Sequence, residues 1–426
     1  MNNINHKIIT KAVRIYGVCD LRLEEFELPP LKENEILAKV MSDSACMSSY
    51  KAALQGAQHK RIPDDIAVNP TIIGHEFGGV ILKVGKKWKH KFREGMKFAI
   101  QPALNYKGSL DAPGYSFRYI GGAATYIIIP NEVMEMDCLL EYKGEGFFPA
   151  SLSEPLSCVI GAFHSNYHNN HAQHSHEMGI VKGGNTAILG GCGPMGLAAI
   201  NYLFHCDRKP GLLLVTDIDD NRLGNASSLF PEAEAKRRGM ELKYVNTGKY
   251  KNPSEALLSL TRNEGYHDIF VYAPVKELII QADRILAKDG CLNFFAGPVD
   301  QNFSAEVNFY NIHYSTNHII GSISGNTNDI AEALDLMSKG LNPSSMISHI
   351  GGLNAVRYTT LNLPKIPGAK KLFYTHIDME LTAIEEFEEK GKGNPLFKNL
   401  YNICKKHKGL WSVEAENYLL NHYGVS

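Results

Sequence analysis

Apolar residues in this chain come in short runs cut by glycine and proline, and their spacing changes character near residue 165. Before that point, β-branched runs at 36–40, 79–84 and Tyr126–Ile129 predict the strands of a compact β domain. Beyond residue 185, apolar runs at Leu212–Asp217, 242–245, 268–273, 291–296 and 319–323 alternate with stretches of helical spacing. That alternation is the rhythm of a doubly wound parallel sheet, so the fold class expected is α/β with a β-rich first domain. The predicted division is 1–165 for the first domain, 166–340 for the second, 341–376 for a return to the first, and 377–426 for a helical extension. Within the extension, Thr382 and Glu385 have the spacing of a capping box, Pro395 suits a helix start, and Ser412 suits the cap of a last helix. Leu396, Leu400 and Ile403 would share one helix face.

The run Thr186-Ala187-Ile188-Leu189 ends in a glycine turn, Gly191-Cys192-Gly193-Pro194-Met195-Gly196, after which Leu197, Ile200, Leu203 and Phe204 recur at helical spacing. A strand, a tight turn and a helix with G-x-G-x-x-G at the junction form a dinucleotide-binding pattern. Gly191 permits the turn, Gly193 lets a pyrophosphate approach the backbone, and Gly196 lets helix and strand pack closely. The phosphates would rest on the unpaired N–H groups of the helix N-terminus. Asp217 closes the next apolar run 21 residues after Gly196, where a carboxylate accepts the two ribose hydroxyls and repels a 2′-phosphate. The expected cofactor is therefore NAD(H), with Arg222 close enough in sequence to leave NADP(H) use open.

Composition narrows this picture without redirecting it. At 426 residues and 44% hydrophobic content, the chain can support two domains with sizeable cores. A net charge of −1 gives no reason to expect nucleic acid, and no apolar run is long enough to span a membrane. The first residues lack a signal core, and the eight cysteines include no C-x-x-C pair, so a cytoplasmic location is expected. Five histidines, His164, His168, His171, His174 and His176, fall within thirteen residues. A metal-binding tract and a polar helix or loop are the two readings of that connector, the second being favoured.

Inside the first domain lies Gly74-His75-Glu76-Phe77-Gly78-Gly79, with Cys46 29 residues upstream and Glu154-Pro155-Leu156 downstream. Thiolate, imidazole and carboxylate are the donors of a tetrahedral zinc site that keeps one position open. In this order, Cys-x-Ser, G-H-E-x-x-G, E-P-L and the glycine turn resemble the zinc-dependent medium-chain dehydrogenase/reductase superfamily, the E-P-L form being that of its polyol (sorbitol-type) branch. The segment 176–185 and the tail residues Leu381–Ile384 and Gly409–Ser412 are similar to its L-sorbose-1-phosphate reductase subgroup.

The resemblance implies a GroES-like catalytic domain joined to a Rossmann domain. It makes Cys46 and His75 zinc ligands, Glu154 the third ligand directly or through water, and Glu76 an alternative ligand or a partner behind them. It makes Ser48 the hydroxyl that receives the substrate's proton. Lys51 stands where many members carry a relay histidine, and Met47-Ser48-Ser49 replaces the usual Gly-Thr/Ser-Asp. No cysteine occurs between Gln101 and Thr125, so one catalytic zinc and no structural zinc is expected.

The same resemblance implies an enzyme interconverting a ketose phosphate and a hexitol phosphate, working as a homodimer or homotetramer. Lys51, Lys60, Arg61 and Arg118 are candidates by position alone to meet a phosphate, an ordinary surface charge being the favoured reading of each. A dehydrogenase of an unphosphorylated polyol or secondary alcohol, and a nucleotide-binding relative without activity, are the alternatives.

Overall fold

The computed structural model describes residues 7–170 and 172–425. The chain forms two compact units, Met1–Glu154 with Met346–Ser426, and Pro155–Ser345.

The first unit is built on an eight-stranded sheet. Its path runs Thr382–Ala383, Ile347–Gly352, Lys370–Tyr374, Ile36–Ser44, Phe77–Val84, Lys97–Ile100 and Leu139–Glu141, with Tyr126–Ile129 also paired to Ile36–Ser44. Alternation along these strands sends Ala38, Val40, Ile81, Phe98 and Ile127 into one core, where all are fully buried. The central strand Ile36–Ser44 has antiparallel neighbours that come from far along the chain. Asp43 stands opposite Phe77 on one side and Phe373 on the other. The strand ends therefore bring Cys46, His75-Glu76 and Lys370 to one place, although hundreds of residues separate the first of them from the last.

The tail does not lie apart from this unit. Its helices Pro395–Lys406 and Val413–His422, with Trp411 between them, bury Leu400, Trp411 and Leu419 in one core with Met41, Phe148, Leu152 and Tyr374. Pro395 begins the first helix and Ser412 caps the second through Ala415 N–H, as the sequence suggests, and the side chain of Asn394 caps the first. Leu396, Leu400 and Ile403 share the buried face. The capping box expected at Thr382 is not formed. Thr382 instead pairs with Ile350 as a strand residue, and its hydroxyl donates to the Glu380 carbonyl. Sheet pairing to the strand Ile347–Gly352 outweighs a cap on the single 3-10 turn Ile384–Glu386.

The second unit is a six-stranded parallel sheet in the order Glu241–Asn246, Leu212–Asp217, Asn185–Leu189, Tyr266–Val271, Leu286–Phe294, His318–Gly321. In chain order that is 3-2-1-4-5-6, the doubly wound arrangement whose first strand leads into the glycine turn. The histidine-rich connector is a β-hairpin rather than a helix or loop, Tyr167–Asn170 pairing antiparallel with Ser175–Met178. The hairpin is pinned at its base, where the Asn169 N–H donates to the Asp289 carboxylate and His168 Nδ1 lies 2.8 Å from the Asp289 carbonyl. Its histidines diverge. His164 turns to Asp329, His168 to Asp268, and His176 packs on Tyr167, while His171 lies outside the described residues.

Candidate active site

Cys46 caps the helix Met47–Gln55, its Sγ taking the Ser48 N–H at 3.5 Å. His75 and Glu76 sit just ahead of the strand Phe77–Val84, and both are buried. One ligand atom from each of Cys46, His75 and Glu76 lies within 4.8 Å of the others. Among the described residues this is the one grouping of three or more cysteine, histidine or acidic side chains so placed.

His75 is gripped at both ring nitrogens. The Ser49 hydroxyl is 3.2 Å from Nδ1, and the Tyr115 hydroxyl is 3.3 Å from Nε2. Burial holds the imidazole's pKa below its usual value, so the ring is neutral at pH 7 and able to ligate a metal. Burial and the nearby Glu76 raise the Cys46 thiol. Glu154, buried on the helix Phe148–Ser165, is pushed up to about 7 chiefly by burial, with the charges of Glu76 and Cys46 adding to it and His75 opposing. A bound divalent cation would reverse both shifts by favouring the ionised forms. Thiol, neutral imidazole and carboxylate form a donor set that fits zinc.

Glu76 is already engaged on both oxygens. Lys370 Nζ lies 2.6 Å from each, and the Ser44 hydroxyl donates to Oε2. Lys370 enters because its strand pairs with the one that leads into Cys46, the Ala45 N–H reaching the Lys371 carbonyl at 2.9 Å. Asp43 is buried behind this pair, and its Oδ1 has no hydrogen-bond partner among the described residues. Its space is cleared by Gly74 and Gly122, where an added Cβ would come within 2.4 and 2.2 Å of its oxygens. Burial, reinforced by Glu76, pushes the Asp43 pKa well above the ordinary carboxylate range, which favours the protonated acid.

The remaining residues singled out in the sequence are spread more widely. Ser48 is exposed on the first turn of the Met47–Gln55 helix, and Lys51 is half-buried one turn on, while Ser49 faces His75. Arg118 is exposed, its guanidinium 5.6 Å from the Tyr119 ring, which packs on Phe26. Four residues to which the sequence patterns assign no role stand here: Asp43, Ser49, Tyr115 and Lys370. The pair Lys370-Lys371 heading an apolar strand, and an aspartate inside one, were the only signals available.

In the second unit the glycine turn has the expected form. Gly193 caps the helix Pro194–His205 with Pro194 at its first position, and Met195 follows in the first turn. An added Cβ at Gly193 would meet nothing within 4 Å, whereas at Gly196 it would fall 2.1 Å from the Gly191 carbonyl oxygen. Asp217, at the end of the next strand, is buried, and its Oδ1 takes the N–H groups of Ile218 and Asp219 at 2.8 and 3.2 Å. Arg222 is exposed on the following helix.

Comparison with known proteins agrees with both halves. Residues 32–137 match the alcohol dehydrogenase GroES-like domain, and residues 194–339 match the zinc-binding dehydrogenase domain. The chain is 47% identical to mannitol-1-phosphate 5-dehydrogenase of Aliivibrio fischeri, over 98% of this chain and 99% of the relative. It is 48% identical to L-sorbose 1-phosphate reductase of Klebsiella pneumoniae, over 97% and 98%. The crystal structure of 2R,3R-butanediol dehydrogenase from Bacillus subtilis superposes with a TM-score of 0.68 at 20% identity, covering 86% of this chain and 99% of that one. With both domains matched and relatives near half-identity along almost its whole length, the chain belongs to the zinc-binding alcohol and polyol dehydrogenases of the medium-chain superfamily, and it is an oxidoreductase.

Proposed function

We propose that this enzyme interconverts a ketose phosphate and a hexitol phosphate, using one catalytic zinc and a nicotinamide dinucleotide, with NAD(H) preferred. The observation that carries the reading is the convergence of Cys46, His75 and Glu76 to within 4.8 Å. The phosphorylated substrate is supported by the two relatives near half-identity, whose names are those of a mannitol-1-phosphate dehydrogenase and a sorbose-1-phosphate reductase.

Cys46 and His75 supply two ligands. Glu76 belongs to the same grouping but is committed to Lys370 and Ser44, so it serves better as the charge that holds the site together, and Glu154, outside the grouping, supplies the third ligand directly or through water. When bound, zinc polarises the substrate's carbonyl or alcohol oxygen, and the nicotinamide exchanges hydride with the carbon that bears it. The chain's own residues do the rest. Whichever nitrogen of His75 faces the metal, the other keeps a hydroxyl, from Ser49 or Tyr115, that fixes the ring. The Ser48 hydroxyl takes or returns the substrate's proton, and Lys51, three residues on along the same helix, hands it outward. Gly193 and the helix it caps receive the pyrophosphate, with Pro194 and Met195 at its edge, while Asp217 holds the ribose and disfavours a 2′-phosphate.

The test is a panel of ketose and hexitol phosphates, with their unphosphorylated counterparts, assayed with NAD(H) and NADP(H) alongside metal analysis. About one zinc per chain, lost together with turnover in Cys46→Ser, is the expected result. Equal turnover of free and phosphorylated hexitols would remove the phosphate from the assignment. A metal-free protein that binds nucleotide without turnover would remove catalysis.

A further inference from the structure

The segment after the Met47–Gln55 helix carries a group of cations beside His75 that the zinc chemistry does not use. The Tyr115 ring stands between the two. Its hydroxyl is 3.3 Å from His75 Nε2, and its face stacks on His59, with centroids 5.7 Å apart and planes within 9° of parallel. The Arg61 guanidinium lies 5.6 Å from the centre of the same ring. This loop is anchored locally at several points. Ile62 and Ile66 are buried in the core that also holds Tyr115, and the Ser116 hydroxyl donates to the Arg61 carbonyl at 2.7 Å. The Arg61 N–H donates to His59 Nδ1 at 3.3 Å, which leaves the ring proton on Nε2 as a donor.

Arg61 makes no ion pair with a carboxylate among the described residues, and neither do Arg118, Arg222, Arg262, Arg284 and Arg357, whereas the six other arginines do. His59 is pushed down to about 4 by burial and then by the charges of Arg61 and Lys60. A ring held neutral beside two cations, with an N–H to give, is a setting that an anion would complete.

We propose that Arg61 and His59, carried on the Tyr115 ring, bind the phosphate of the sugar-phosphate substrate and make the enzyme selective for it over the free polyol. The inference rests on the proposed phosphorylated substrate and names the groups that enact it. A guanidinium fork gives two parallel hydrogen bonds to a phosphate, and the flat Tyr115 face fixes the fork in advance. One aromatic ring, Tyr115, stands between this anion site and His75.

The test compares wild type with Arg61→Ala on glucitol 6-phosphate and on glucitol, with inorganic phosphate titrated as competitor. The expected result is a rise of roughly 10- to 100-fold in KM for the phosphate ester, a fall of similar size in its kcat/KM advantage over glucitol, and weaker inhibition by inorganic phosphate. Arg61→Lys, which keeps the charge and loses the fork, should fall between, and it decides the matter should the alanine variant fail to fold. A folded variant with wild-type zinc content that keeps the full preference for the ester overturns the site and leaves the proposed function standing. A wild-type enzyme with no preference for the ester overturns both.

Discussion

Lys370 and Glu76, 294 residues apart, form a buried ion pair with Lys370 Nζ 2.6 Å from each carboxylate oxygen. Their side chains are 7% and 1% exposed, so water screens neither charge. Removing one partner strands the other. Lys370→Met should therefore cost about 3–5 kcal/mol of stability, read from urea unfolding of the metal-free protein. Adding Glu76→Gln to it should restore most of the loss, since the neutral amide needs no counter-ion. A single variant as stable as wild type would show that the pair carries no such weight.

That pair also marks how far the sequence could be read. The glycine turn and the strand Leu212–Asp217 are legible because they are local: apolar periodicity and backbone demands fall within about thirty residues. Cys46, His75 and Glu76 carry a spacing that can be matched as a pattern. Lys370 and Asp43 carry none, because their roles arise only when strands from the two ends of the chain pair side by side. Thr382 shows the opposite failure, a valid local signal overruled by pairing with Ile350. The connector's histidines look like one cluster on paper, yet separate acidic partners draw His164 and His168 apart.

His164 gives the second unit a pH dependence of defined sign. Hydrogen bonds to Asp329 and Glu332 raise its pKa to about 9, from the ordinary 6.5. The folded state thus favours the charged ring. Its stabilisation is complete below pH 6.5, declines as pH rises through 9, and is absent above. With the side chain 48% exposed, solvent screening reduces the effect to about 1 kcal/mol. The urea midpoint of wild type should fall relative to His164→Gln between about pH 6 and pH 10. Parallel curves for the two proteins would refute the assignment.

Glu416 ties the tail to the helix that bears Glu154. Its two carboxylate oxygens accept the N–H groups of Phe147 and Phe148 at 2.7 and 2.9 Å, where the helix Phe148–Ser165 begins and its first N–H groups lack partners within the helix. A carboxylate there also meets the positive end of the helix dipole. Nearby, Trp411 Nε1 donates to the Tyr374 hydroxyl at 2.8 Å, so the tail is anchored on the sheet beside its capping residue. Glu416→Ala leaves two donors unpaired, that of Phe148 buried and that of Phe147 half-buried, and should cost about 2–4 kcal/mol, whereas Glu416→Gln, which keeps one acceptor, should cost less. Glu154 lies on the same helix, less than two turns from Phe148, so the alanine variant should also hold zinc more weakly in a chelator competition. If Glu416→Ala loses stability yet keeps wild-type zinc affinity, the tail braces the fold without reaching the metal. If it loses neither, the cap is dispensable.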